Sequence, residues 1–279
     1  MADTYPGLIC IGAQRAGTTW LYGCLVRHPR VAMAPFKEVH DFDTRHGPAM
    51  STFNASRFRD ARQEVDTLRE ADEPVPPSLQ WLAEQHGRTI DDAWYADVFA
   101  GSPADGLRVD ITPTYSMLAD AGIDHAVRLC PDVRILVMLR DPIEGSFSHV
   151  RMLLKRGGLP ADTPTMLRLA AREGVVARSR YEELLERWSA RVPRERFRVV
   201  FYDDIATRPL GLLEEVGGFA GLDFEPRHVS EAATRVVHRG PEIEMPDEVR
   251  SLLVREYVPA IRTLARTYPQ AAEWLRTYT

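Results

Sequence analysis

Lysine is nearly missing from this chain. Of the 35 basic residues only Lys37 and Lys155 are lysines, and the others are arginines. The skew by itself reads as the imprint of a GC-rich genome. Excess positive charge is missing too, since 35 basic residues face 40 acidic ones for a net charge of −5. That argues against a nucleic-acid partner while leaving room for a local basic pocket. Cysteine is scarce. Cys10, Cys24 and Cys130 show neither metal-ligand spacing nor the even count of a disulfide framework, so they read as buried thiols in a reducing compartment. Apolar runs such as Ile135–Leu139 are strand length, far below the ~20 residues of a membrane helix. The opening segment MADTYPGLICIG has no basic region and no long apolar region of the signal-peptide kind. Together these absences predict a cytoplasmic protein with no membrane partner. What remains is ordinary: 44% hydrophobic and 27% charged residues over 279 positions, which excludes disorder and collagen and suits one large α/β domain.

Four short apolar runs predict strands: Leu8–Ile11, Leu107–Ile111, Ile135–Leu139 and Phe197–Tyr202. Several are near-continuous, as expected of strands covered on both faces. Helical patterns follow at Thr18–His28, Ala119–Leu129, Pro142–Lys155, Ser179–Arg191, Pro209–Ala220 and Pro246–Thr267. Such alternation predicts an α/β fold with a central parallel sheet flanked by helices, its ligand beyond the carboxyl ends of the strands. Residues 44–106 interrupt the alternation. They are polar, contain Glu73-Pro74-Val75-Pro76-Pro77, and read as an inserted cap with helices near Ser51–Arg69 and Pro77–His86. Nothing in the pattern sets an oligomeric state.

The first strand runs into Gly12-Ala13-Gln14-Arg15-Ala16-Gly17-Thr18-Thr19-Trp20. A strand, a glycine-bounded loop and a helix N-terminus present backbone N–H groups to a phosphate. The G-x-x-x-x-G spacing matches a nucleoside-triphosphate loop, but Thr18 stands where that motif needs lysine. The cation sits inside the loop at Arg15. No strand ends in a clear metal-binding aspartate, Asp110 and Asp141 being the nearest, so a 5′-phosphate bound without a metal is expected. A second anchor follows the strand ending at Leu139: Arg140, then Ser148 eight residues later and about two turns into the next helix. An arginine and a hydroxyl so placed suit one anion.

These residues together resemble the sulfotransferases that use 3′-phosphoadenosine-5′-phosphosulfate (PAPS) and release 3′-phosphoadenosine-5′-phosphate (PAP). The likeness is to the branch holding the heparan sulfate sulfotransferases and bacterial relatives, through Gly12–Thr19, Arg140 with Ser148, His28-Pro29, Lys37-Glu38-Val39-His40-Asp41-Phe42-Asp43, Thr112-Pro113-x-Tyr115 and Ser179-x-Tyr181. The resemblance implies a P-loop-like three-layer fold over the whole chain. It implies that Ala16, Gly17, Thr18 and Thr19 hold the 5′-phosphate and that Arg15 stabilises the leaving oxygen. It gives the 3′-phosphate to Arg140 and Ser148, with Trp20, Tyr202 and Arg239 as further donor-site residues. Glu38 is implied as general base, with His40 and Asp43 beside it, and the acceptor as a small molecule or saccharide. Two features depart from the family pattern: Ile111 replaces a lysine near the Thr-Pro turn, and the late loop Arg235–Gly240 lacks cysteines.

Plainer readings stand beside these. Trp94, Tyr95 and Phe99 have helix-like spacing and suit a core, and His28-Pro29 suits a helix end. Trp20 suits either adenine stacking or burial. Ser179 suits either a helix cap or a nucleotide contact. Arg168, Arg172, Arg178 and Arg180 suit either a solvated face or a place beside an anionic ligand. A small-molecule kinase with a degenerate loop, or a protein that binds PAP without chemistry, are the competing functions.

Overall fold

A computed structural model of the chain describes residues 4–47, 52–103, 105–224 and 243–278. Strand β1 (Leu8–Gly12) leads into helix α1 (Thr18–Leu25), and the three-residue strand β2 (Val31–Met33) follows. Next come α2 (Asp41–His46), α3 (Phe53–Glu70), α4 (Pro77–Glu84) and α5 (Asp92–Val98). Strand β3 (Leu107–Ile111), α6 (Asp120–Leu129), β4 (Arg134–Leu139) and α7 (Pro142–Gly157) continue the alternation. After α8 (Thr163–Ala170), α9 (Glu173–Val176) and α10 (Tyr181–Ser189), strand β5 (Phe197–Phe201) completes the sheet. The helices Asp204–Thr207, Pro209–Ala220, Asp247–Thr267 and Ala271–Leu275 follow. Among the described residues no helix is long and apolar enough to cross a membrane.

All strand pairs are parallel, in the order β2-β3-β1-β4-β5. The predicted parallel α/β sheet is thus present, with one more strand than the apolar runs indicate. Strand β2 escaped because three residues at a sheet edge carry almost no periodic signal. The strand before Arg140 is therefore the fourth in chain order. Every residue of β1 is buried, as is β4 from Ile135 to Leu139, which explains their uninterrupted apolar character. All three cysteines are free and buried.

Strand direction places the functional loops. Because β3, β1, β4 and β5 lie side by side and parallel, the segments after Ile111, Gly12, Leu139 and Phe201 emerge at one edge. Within the insertion, Trp94, Tyr95 and Phe99 are fully or almost fully buried, and Asp91 caps α5 by accepting the Trp94 N–H at 2.8 Å. The core reading of those aromatics holds. Helices α3 and α4 share a small apolar cluster of Ala61, Val65 and Ala83. The cap reading of Ser179 does not hold. Helix α10 begins at Tyr181 without a side-chain cap, and the Ser179 hydroxyl instead lies 3.1 Å from that of Ser146 in a buried pair.

Candidate active site

The loop between β1 and α1 turns through left-handed backbone at Arg15 (φ 65°) and Gly17 (φ 89°). At Gly17 a Cβ would lie 2.4 Å from Ile205 Cδ1 and 3.0 Å from Tyr202 Cδ2. Helix α1 has no side-chain cap and no acidic residue in its first turn, so its leading N–H groups keep their positive end for an anion. Gly17→Ala is expected to destabilise the fold by about 1 kcal/mol or more, through strain at φ > 0 and the collision with Tyr202 and Ile205. Thermal unfolding would show the loss of stability.

Arginines converge on this loop. Arg15 Nε donates to Ser148 Oγ at 3.0 Å, and Arg140 Nη1 donates to the Arg15 carbonyl at 3.1 Å. The Arg140 guanidinium lies 4.3 Å from the centre of the Tyr202 ring, and its own carbonyl accepts the Tyr181 hydroxyl at 2.8 Å. Arg178 donates to Gln14 within the loop, which sets it against that loop rather than on a solvated face. Arg180 pairs with Glu173, and Arg168 and Arg172 are exposed. Burial, then Arg140, Arg151 and Arg156, pull the Arg15 pKa below its ordinary value. None of these cations near Arg15 has a carboxylate partner among the described residues. A protein of net negative charge has gathered like charges without counter-ions, an arrangement that favours a bound polyanion.

His149 sits inside this cluster. Burial, then Arg178, Arg15 and Arg156, push its pKa down to about 4, so it is neutral at ordinary pH. Its Nδ1 and the Nε of Arg151 are buried without a partner among the described residues. Both were missed from the sequence. Their only signal is the helical spacing that sets them beside Ser148.

The segment after β2 supplies a second group. Glu38 and His40 both take left-handed backbone, with φ of 63° and 56°. Among the described residues the only other non-glycine positions so strained are Arg15 and Asp72. Strain of this kind opposes folding by on the order of 1–3 kcal/mol per residue and gathers where function demands it. Lys37 Nζ lies 2.5 Å from Glu38 Oε1, and His40 Nε2 lies 3.5 Å from Glu38 Oε2. His40 Nδ1 bonds Asp43 Oδ2 at 2.7 Å, and the Thr114 hydroxyl donates to the same oxygen at 2.5 Å. Burial pushes the Glu38 carboxyl up, but His40 and Lys37 outweigh it and hold it at about 2. Burial likewise acts to lower the His40 pKa, yet Asp43 and Glu38 raise it above the usual value. Glu38, His40, Asp43 and Thr114 are therefore one line of polar contacts ending on the carboxyl edge of the sheet.

Asp110 braces that segment. It is fully buried and accepts from Thr112 at 2.6 Å, Tyr95 at 2.9 Å and Tyr115 at 3.1 Å. Thr112 in turn accepts the Val39 N–H at 2.9 Å and Tyr115 accepts the Asp41 N–H at 3.0 Å. Asp110 thus holds the backbone on both sides of His40. Asp141 caps α7 and accepts the Tyr278 hydroxyl at 2.6 Å. Both aspartates considered as metal ligands are engaged within the protein.

Of the residues expected at the donor site, Arg15, Ser148, Arg140 and Tyr202 form one connected group, with Ala16, Gly17, Thr18 and Thr19 at the head of α1. Trp20 is 4% exposed and belongs to the core. Arg239 lies outside the described residues.

A family model described as "Sulfotransferase family" matches residues 6–226. The chain belongs to the sulfotransferase family. Human heparan sulfate glucosamine 3-O-sulfotransferase 5 is 23% identical over 238 residues, 81% of this chain. The match spans 56% of that protein, so this sulfotransferase-family chain covers little more than half of its relative's length. Among solved structures, a sulfotransferase from Alicyclobacillus acidocaldarius superposes with a TM-score of 0.64 at 19% identity, covering 94% of this chain and 95% of that one. Mouse sulfotransferase SULT7A1, solved in complex with PAP, gives 0.55 at 11% identity over 99% and 91%. At these identities the structures establish the sulfotransferase fold, which is what the Gly12–Thr19 loop and the Arg140/Ser148 pair imply.

Proposed function

We propose that the protein transfers a sulfuryl group from PAPS to a hydroxyl of a small-molecule or saccharide acceptor. The observation that carries this reading is the placement of two groups at one sheet edge: an anion cradle of loop amides, Arg15, Arg140 and Ser148, and the strained carboxylate Glu38 aligned by His40. The cradle suits the two ends of the donor. The α1 amides with Thr18 and Thr19 hold the 5′-phosphate, and Arg140 with Ser148 holds the 3′-phosphate. Arg15, between them, faces the bridging oxygen.

Glu38 accepts the hydrogen bond of the acceptor hydroxyl and then its proton. As the acceptor O–S bond forms, the S–O bond to the phosphate breaks, and PAP leaves with that electron pair. Arg15 stabilises the negative charge gathering on the leaving oxygen. In a loose, in-line transfer the proton leaves after the acceptor oxygen has become acidic, so a carboxylate of low basicity suffices, as in phosphoryl transfer by analogy. A hydroxyl that displaces Lys37 from Oε1 also removes one of the two groups that depress Glu38. His40 and Asp43 keep the carboxylate oriented throughout. Residues 44–106 act as an inserted cap on the acceptor side, within a domain that spans the chain.

Titration with PAP in EDTA, followed by thermal unfolding, tests the reading. At ~100 times its dissociation constant a ligand stabilises by about 2.7 kcal/mol. A shift with PAP that survives EDTA is the expected result. A shift with Mg·ATP and none with PAP would replace the sulfotransferase reading with a kinase.

A further inference from the structure

The insertion sends one helix directly to the base. Asn54 on α3 is fully buried and donates to the carbonyls of Val39 and His40 at 3.0 and 3.1 Å. One turn later Arg57 Nη1 donates to the carbonyl of Glu38 at 2.7 Å. These bonds lock α3 to the strained Glu38–His40 segment. Whatever α3 presents next to them keeps a fixed distance from the Glu38 carboxylate.

Helix α3 presents a ring and a cation. Phe53 is 39% exposed, unusual for phenylalanine, while its ring centre lies 4.5 Å from that of His40. The Arg57 guanidinium lies over Phe53 at 4.7 Å and over Phe36 at 5.2 Å. Phe36 in turn packs against Trp81 at 5.3 Å. Residues Phe53 and Arg57 are one helical turn apart, so the stack is local and preorganised. Of the five N–H donors of a guanidinium, Arg57 uses one on the Glu38 carbonyl. Among the described residues it has no carboxylate partner. Burial accordingly pulls its pKa below the ordinary value, with Glu38 and Asp43 acting the other way. A half-buried, stacked guanidinium with no carboxylate partner among the described residues is poorly matched to a neutral sugar, and well matched to a carboxylate that takes its remaining N–H groups in pairs. The exposed ring beside it suits a flat apolar body rather than a fully hydroxylated one.

We propose that Phe53 and Arg57 form the acceptor subsite and select a hydroxylated aromatic carboxylate: the ring against Phe53, the carboxylate on Arg57, the hydroxyl at Glu38. The inference rests on the sulfotransferase reading and on Glu38 as its base. It narrows the acceptor from small molecules in general to one chemical class, and it gives the insertion a specific task.

The test is binding to the protein already saturated with PAP, measured by calorimetry, with 4-hydroxybenzoate, 4-hydroxybenzyl alcohol and glucose as probes. The carboxylate probe is expected to bind about tenfold or more tighter than its neutral aromatic analogue, with glucose weakest. Arg57→Gln should abolish the difference between the two aromatic probes and leave PAP affinity unchanged. Arg57→Lys should restore part of it, because charge returns without the planar fork. Phe53→Ala should weaken both aromatic probes alike. Equal binding of the two aromatic probes to the unaltered protein would overturn the proposal. So would a preference that survives Arg57→Gln, or one that Arg57→Lys fails to restore. Failure of PAP itself to bind strikes the sulfotransferase reading. Intact PAP binding without probe preference strikes only this inference.

Discussion

Glu38→Gln is expected to lower turnover by ~10²–10⁴-fold while PAP binding stays within a fewfold of the original, since a positioned general base is worth that much. The substitution keeps the shape of the side chain and removes only the charge and basicity, so the strained backbone at Glu38 and His40 is undisturbed. Single-turnover sulfation and a PAP titration on the same preparation check both halves. The pH profile adds a second reading. Because His40 and Lys37 hold Glu38 at about 2, the carboxylate stays ionised throughout the ordinary working range, and the acid limb of the rate profile should not fall at the usual glutamate pKa. Stability follows the same sign. A carboxyl whose folded pKa is depressed contributes stability above its unfolded value near 4.5, and that contribution is lost as pH falls through about 2. Turnover unchanged in Glu38→Gln would remove Glu38 from the chemistry.

Arg140→Ala carries the second large effect, on the donor rather than on the chemistry. Its guanidinium lies over Tyr202 and tethers the Arg15 carbonyl, so truncation removes the partner proposed for the 3′-phosphate and loosens the loop that carries Arg15. Loss of a charge-assisted contact of this kind costs about 3 kcal/mol, or roughly a hundredfold in PAP affinity. Arg140→Lys should fall between, because an ammonium keeps the charge and loses the planar stack and fork. The affinity of the unaltered protein should also weaken as salt rises, since part of it comes from cations that have no carboxylate partner among the described residues. PAP affinity equal to that of the unaltered protein in Arg140→Ala would separate this arginine from the donor site and leave the cluster around Arg15 to account for it.

Much of the site was readable because its residues lie within short, ordered stretches. The loop from Gly12 to Thr19 is continuous in sequence, and its chemistry depends on backbone N–H groups that follow from strand, glycine and helix in succession. Arg140 and Ser148 share a strand end and the helix after it. Glu38, His40 and Asp43 fall within six residues. In each case local geometry alone brings the groups together. The contacts of Arg57, His149, Arg178 and Asp110 were not readable from the sequence, for a common reason. Arg57 reaches Glu38 across 19 positions, Arg178 reaches Gln14 across 164, and Thr112 meets Val39 across 73. No periodicity records contacts of that span. Strand β2 was lost for a different reason, being three residues long at the sheet edge.

By itself the sequence determined the parallel α/β sheet and a glycine-bounded loop with Arg15 inside it and no lysine after Gly17, because apolar runs and glycine positions act within a few residues of one another. Only the tertiary structure decided that Arg15, Arg151, Arg156 and Arg178 crowd together with no carboxylate partner among the described residues, that Asp110 braces the Glu38–His40 segment, and that α3 lays Phe53 beside His40 and Arg57 against the Glu38 carbonyl. Those are consequences of which strand ends share an edge and which helix packs over them. The physical reason is that burial and the gathering of like charges are properties of a packed assembly, and a chain acquires them only when distant segments exclude water from one another.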